Sequence, residues 1–455
     1  MVKSVSAEAS GEAARREGPA NAASERIAPG KRRLTQNQVR SFWAAWGGWT
    51  MDGMDSFIYS LVLVPALREL LPKSGIPATT GSVGFYGGLL FALFMIGWGT
   101  GMVWGPIADR FGRVRTMMFS ILSFSLFTLL AAFSTGVWSL AVFRFLAGIG
   151  IGGEWAIGAA LVSEDWPEER RAWGGALMHT GYYFGFLFAA LANYFIGSHF
   201  GWRYMFVVGG VPALLVAFIR NNVKEPERWE NRREELRDKW TMHHAFFLLF
   251  SKQYRRRTIF NSIYLIVSLV GLWAGSVYVP AAMTFIAAAA NKTAVEAAQL
   301  ASYSTALLGI GTVLGALLVP PLADRLGRKL TLGMFFALMG FSIWLAFGHV
   351  FYMEATAAVR WFMVCAFLLG LGGANFIVYS FWLPEQYGTE CRASAFAFNT
   401  NIGRFAAAGM TFLVGAGIRH FQSLGTPVAM TGFAFVVGIL LLPFGVETKG
   451  KPLPA

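Results

Sequence analysis

The stretch GPIADRFGRVR at residues 105–115 returns, with small changes, as PPLADRLGRKL at 320–330. Each copy is a charged turn between two long apolar runs, so it marks the same bend in two halves of a duplicated unit. Further along each half, SEDWPEERRA (163–172) is echoed by PEQYGTECRA (384–393), which aligns Glu164 with Glu385 and Arg171 with Arg392. VKEPERW (223–229) is echoed by ETKG (447–450). Matches in the same order at nearly constant spacing indicate an internal repeat.

Around these turns lie twelve apolar stretches, at about 42–67, 83–107, 116–135, 137–163, 172–196, 202–219, 258–287, 299–322, 330–350, 355–383, 393–417 and 425–444. Each has the roughly 18–25 residues that a helix needs to cross hydrocarbon. Period-2 alternation is missing, and backbone groups in lipid need partners within their own segment, so the spans are helices. The sequence thus predicts an all-α membrane protein with twelve transmembrane helices in two pseudo-symmetric six-helix bundles. Residues 1–40 are polar, lack the apolar core of a signal peptide and are expected to form a disordered cytoplasmic tail. The first bundle is expected over 41–219 and the second over 258–446. A cytoplasmic linker over 220–257 and a tail over 447–455 complete the chain. Trp229 and Trp240 suit the linker to lie as an amphipathic helix at the membrane surface.

Composition agrees. Of the 455 residues 55% are hydrophobic and only 14% charged, against about 25% charged in soluble domains. The net charge of +13 invites a nucleic-acid partner, but its distribution excludes one. Thirty of the 38 Lys and Arg residues fall on the side of the termini, and six (Arg68, Lys73, Arg203, Lys292, Arg360, Arg419) on the other. That asymmetry predicts cytoplasmic termini in a cell inner (plasma) membrane. Cys365 and Cys391 lie near opposite ends of one apolar segment, too far apart for a disulfide. No metal-ligand spacing, phosphate-binding loop or catalytic triad stands out, so no cofactor and no enzyme activity is expected.

An ionisable group inside a span costs about 2.5–3.5 kcal/mol or more, which makes each one a functional-site candidate. Asp52 and Asp55, in GWTMDGMD (48–55), share a helix face near the bilayer middle. They are candidates for proton coupling, with a fixed ion pair to a neighbouring Arg as the structural alternative for Asp55. Arg404 lies at the same depth on the eleventh span and is the best candidate for holding an anion, since a guanidinium grips carboxylate bidentately. Arg144 on the fourth span could serve likewise or pair with Asp55. Glu154 lies ten residues beyond it, about 80° round the helix, and so is not its direct partner. His179 and Glu154 are possible proton relays. Tyr182, Asn261, Asn375, Tyr379 and Asn399 are further polar candidates for a substrate cavity. The run Gly148, Gly150, Gly152, Gly153 reads as close helix packing.

Gly105, Asp109, Arg110, Gly112 and Arg113 resemble the signature that the major facilitator superfamily carries between its second and third helices. Asp324, Arg325, Gly327 and Arg328 resemble its second copy, with Pro320 in place of the first glycine. The resemblance covers essentially everything after residue 40. It implies a solute carrier working by alternating access, in which these loops, with Glu164, Arg171, Glu385 and Arg392, act as gates. The helix 1 acids, Arg144 with GlyGlyGluTrp (152–155) and the GlyArg at 403–404 look like the proton symporters of organic acids. They imply symport of a proton with a monocarboxylate, aromatic acid or sialic acid-like anion, by a carrier expected to work as a monomer. PERW and ETKG resemble endings found in sugar porters, so a proton-coupled carrier of neutral sugars or zwitterionic osmolytes is the alternative.

Overall fold

The computed structural model describes residues 34–154, 157–158, 168–225, 247–388 and 391–450. The expected surface helix with Trp229 and Trp240, Glu164, and most of both tails lie outside these residues. So do the side chains of a few helical positions, including Asp109, Arg110, Arg171 and Arg392, and the surroundings of Gly105.

Every regular element among the described residues is helical. The first bundle comprises α1 (Gln36–Lys73), α2 (Thr80–Thr100), α3 (Arg113–Ala131), α4 (Val137–Ile151), α5 (Glu168–Ala192) and a broken α6 (Trp202–Val208 and Ala213–Asn222). The second comprises α7 (Arg255–Ala289), α8 (Ala294–Leu326), α9 (Arg328–Tyr352), α10 (Ala355–Trp382), α11 (Arg392–Phe421) and α12 (Gly425–Phe444). Seven of these are long and apolar enough by themselves to cross a bilayer. Helices α1, α5 and α11 are as long, but they carry the polar and charged side chains of the site.

Glycine lets the site-bearing helices meet backbone to backbone. A Cβ on Gly53 of α1 would collide with the Tyr182 carbonyl of α5, and one on Gly185 of α5 with the Thr50 carbonyl of α1. Helix α7 is not uniform: it passes from α-helix into a π turn at Gly271–Gly275 and a 3₁₀ turn at Ser276–Tyr278. Such a bulge re-aims side chains, and here Trp273 meets rings of the opposite half.

The repeated turns end alike. Gly112 (φ +112°) and Gly327 (φ +94°) take a backbone conformation that L side chains rarely adopt. Just after each, a glutamate from the end of the same half reaches the start of the next helix. Glu225 accepts from the Val114 and Arg115 amides at 3.1 and 3.2 Å, and Glu447 from those of Arg328 and Lys329 at 3.1 Å. A carboxylate suits a helix N-terminus because the amides there have no partner within the helix. These glutamates are 222 residues apart, the offset already visible between VKEPERW and ETKG.

The two halves meet along the far face, opposite the repeated turns. Asn193 of the π turn after α5 donates to the Ala298 carbonyl (3.1 Å) and Ser302 Oγ (3.0 Å) of α8. Tyr194 packs on Tyr303 and Phe85 on Phe412.

Candidate functional site

The fully buried acids of α1 have different fates. The Asp55 carboxylate accepts a 2.6 Å hydrogen bond from Thr128 Oγ1 of α3 and faces Arg144 Nη1 of α4 at 3.3 Å from both oxygens. The Arg144 guanidinium is itself fully buried, with Phe94 at 4.3 Å and Tyr59 at 5.3 Å. This is the fixed pair that stood as the alternative for Asp55. Breaking such a pair leaves a stranded charge, which makes it a structural commitment.

Asp52, by contrast, has no hydrogen-bond partner on either carboxylate oxygen among the described residues, and neither has Glu154. Both are fully buried. The Glu154 carboxylate presses on Gly48, one helical turn before Asp52, where a Cβ would collide with it. Asp52 lies within electrostatic reach of Glu154, Asp55 and Arg404. Glu154 is thus not the partner of Arg144, in keeping with its angular offset. It joins Asp52 instead.

Across the seam, Arg404 of α11 donates from Nη1 to Asn401 Oδ1 (2.9 Å) and lays its guanidinium 4.7 Å from the Trp98 ring of α2. Rings close the rest of the centre. Tyr182 contacts Trp49 at 4.8 Å and Phe186 at 5.3 Å, and Trp273 meets Phe91 at 5.3 Å and Trp98 at 5.5 Å. His179 stacks on Phe376 of α10 at 5.8 Å, so this candidate relay is engaged as a ring. Among the described residues the buried Trp98 indole N–H has no hydrogen-bond partner, while the Tyr182 hydroxyl lies beside Ser56. An unsatisfied donor beside a guanidinium and flat ring faces suits a planar anion.

The other candidates make their hydrogen bonds within the second half. Asn261 donates to Gln386 Oε1 (3.1 Å) and Tyr387 Oη (3.2 Å). Asn399 accepts from Ser262 (2.7 Å) and donates to the Ala395 carbonyl (2.7 Å). Both amides are engaged within the second half, where the sequence reading had put them in the cavity. Tyr379 shares a hydrogen bond with Ser268 (2.8 Å), and Asn375 donates to the Gly372 carbonyl with its oxygen left unpartnered. Among the gate candidates, Arg328 holds Glu385 at 2.8 Å and Asp324 at 3.2 Å, and Thr448 also hydrogen-bonds Glu385. The Glu385 carboxylate makes the Arg328 proton still harder to remove. Arg113 begins α3, whose next two amides Glu225 caps.

The sequence reading missed Thr128, Trp98, Trp273, Glu225 and Glu447. Only the glutamates carried a signal, their place in the repeat; one aromatic among the 41 Phe and 16 Trp of the chain does not declare itself.

Two six-helix halves with buried charges at their seam define a polytopic solute carrier. The family model of the Major Facilitator Superfamily matches residues 45–289, and the chain belongs to that family. It is 30% identical, over 91% of both chains, to a probable 4-methylmuconolactone transporter of Cupriavidus pinatubonensis. It is 27% identical to the niacin transporter NiaP of Acinetobacter baylyi, over 90% of this chain and 94% of that one. Among solved structures, a partially occluded inward-open form of the xylose transporter XylE from E. coli superposes with a TM-score of 0.69. There the identity is 19%, over 92% of this chain and all of that one. Relatives of this kind are transporters, and the chain is a carrier rather than an enzyme.

Proposed function

We propose that the protein imports a small planar organic acid anion together with a proton across the cell inner membrane, with its termini in the cytoplasm. The observation that carries the reading is the Asp52–Glu154 pair, buried and without hydrogen-bond partners among the described residues, within reach of Arg404 on the opposite half.

Charge balance supplies the mechanism. The Asp55–Arg144 ion pair adds no net charge to the centre. Two carboxylates in one dry site hold a proton between them, since like charges there cannot both ionise at tolerable cost. The remaining negative charge is balanced by Arg404. When a carboxylate cargo takes Arg404 for itself, that negative charge loses its counterion, and a second proton neutralises it. The loaded centre is then uncharged and the halves can rock; cargo and proton leave together on the terminus side. One anion thus moves with one proton.

The rings around Arg404 favour a flat, unsaturated or aromatic acid. A sugar would need many hydrogen-bonding side chains where Trp98, Trp49, Tyr182 and Phe376 stand. The test is uptake of labelled benzoate into proteoliposomes under an imposed pH gradient. Asp52→Asn is expected to keep benzoate exchange but lose gradient-driven accumulation, and Arg404→Gln to lose both. Undiminished accumulation by Asp52→Asn would overturn the coupling, and neutral sugars displacing benzoate would favour a sugar carrier.

A further inference from the structure

The far face of the molecule, its outer face on the reading above, carries six Lys and Arg residues but three acids, Glu69, Glu296 and Glu354. Each acid is already engaged. Glu69 takes Arg203 through both oxygens (2.8 and 2.7 Å), Lys73 (2.7 Å) and the Trp202 indole (2.8 Å). Glu296 holds Lys292 (3.1 Å) and caps α8 at Thr293, and Glu354 caps α10 through the Thr356 and Ala357 amides. Arg68 and Arg419 are exposed and have no acid partner among the described residues.

What they touch instead is informative. Arg68, near the end of α1 in the first half, lies 5.9 Å from the Phe285 ring of α7 in the second. Arg419, near the end of α11 in the second half, lies 5.5 Å from the Phe85 ring of α2 in the first. Each cation therefore rests on an aromatic face of the opposite half, across the seam that must open for cargo to enter. Cation–π contact at an exposed site is weak, too weak to lock the seam. When the halves part, each guanidinium loses its ring and stands bare at the mouth. Excess positive charge facing outward also runs against the inside-positive bias of this chain, so orientation in the membrane does not account for it.

We propose that Arg68 and Arg419 form an anion-capture site at the outer mouth, which draws carboxylates into the open cleft and is parked on Phe85 and Phe285 when the cleft shuts. The site rests on the carboxylate-importer reading and adds a recognition step before Arg404. Bare guanidiniums raise the local concentration of anions, an effect that added salt screens. A purely structural role, such as favourable placement at helix C-termini, would leave no such salt signature.

The experiment is benzoate uptake by intact cells, normalised to carrier abundance, at low and at physiological ionic strength. Arg68→Gln/Arg419→Gln is expected to raise KM about three- to tenfold at low ionic strength with maximal rate unchanged. It should also flatten the salt dependence that the unaltered protein shows. Arg68→Lys/Arg419→Lys, which keeps the charges, should retain that dependence. Equal KM and equal salt dependence in the Gln double variant would overturn the capture site alone. A fall in maximal rate or in thermal stability at unchanged KM would also overturn it, in favour of a structural role. If the unaltered protein takes up no benzoate, the importer reading falls and the capture site with it.

Discussion

The two halves share a fold but not an interior. Among the described residues the first buries the acids Asp52, Asp55 and Glu154 with Arg144 and His179, whereas the second buries Arg404 amid amides, hydroxyls and rings. The repeated loops at the terminus side match glutamate for glutamate, while the centres diverge. Duplication thus supplies a frame, and substitution within one copy supplies the chemistry. On the proposed function, an acid-rich wall opposite a cationic one lets a single carrier answer to protons and anions at once.

The two buried arginines test this division most severely. Arg144→Gln strands the Asp55 carboxylate and should cost about 3–5 kcal/mol, read as a large fall in Tm and folded yield; adding Asp55→Asn should restore much of it. Arg404→Gln should fold with little change in Tm and fail only in transport. If the two variants lose stability equally, the division between a structural and a functional arginine is wrong.

A smaller effect separates the acids. Glu154→Gln removes one of the two buried carboxylates that lack partners among the described residues and should raise Tm while abolishing gradient-driven uptake, whereas removing a paired acid by Asp55→Asn should lower Tm. The frame can be tested symmetrically. Gly112→Ala and Gly327→Ala each force an alanine into a backbone region that is essentially glycine's alone and push a Cβ against the capping Glu225 or Glu447, at about 1–3 kcal/mol apiece. Similar costs in both halves are expected, and unequal ones would mean that the repeat is only skin-deep.

The smallest effect lies on the far face. Arg203, then Lys73, with help from the Trp202 indole, hold the Glu69 carboxyl down to about 2, below the ordinary value of about 4.3. A depressed carboxyl stabilises the folded state above its ordinary value and loses that contribution as pH falls toward the depressed one. Glu69 is partly exposed, so Glu69→Gln should lower Tm slightly at neutral pH. The difference should vanish between about pH 4 and pH 2.

The twelve spans were legible in the sequence because lipid imposes a length and an apolarity that few residues escape. The buried charges were legible for the same reason: Asp52, Asp55, Arg144 and Arg404 stand out against such a background. Their pairing was not. Whether Arg144 meets Asp55 depends on how α1 and α4 are rotated about α3, and whether Glu154 faces Gly48 depends on the absence of one side chain there. Polar residues without charge were the least readable. Asn261 and Asn399 look like cavity residues in a linear text, yet each finds a hydrogen-bond partner within its own half. An amide in a bundle core has many ways to be satisfied; a charge has few.

The glutamates that return to Gly112 and Gly327 bear on how the chain is made. Each six-helix unit is fastened by a residue that leaves the ribosome after all its spans, so neither can be clasped shut until its synthesis is done. The first half is then complete before the second has begun to form. Two separately translated pieces, divided between residues 225 and 255, would each bring their own clasp. Cutting ahead of residue 447 would leave only the later-made unit unfastened.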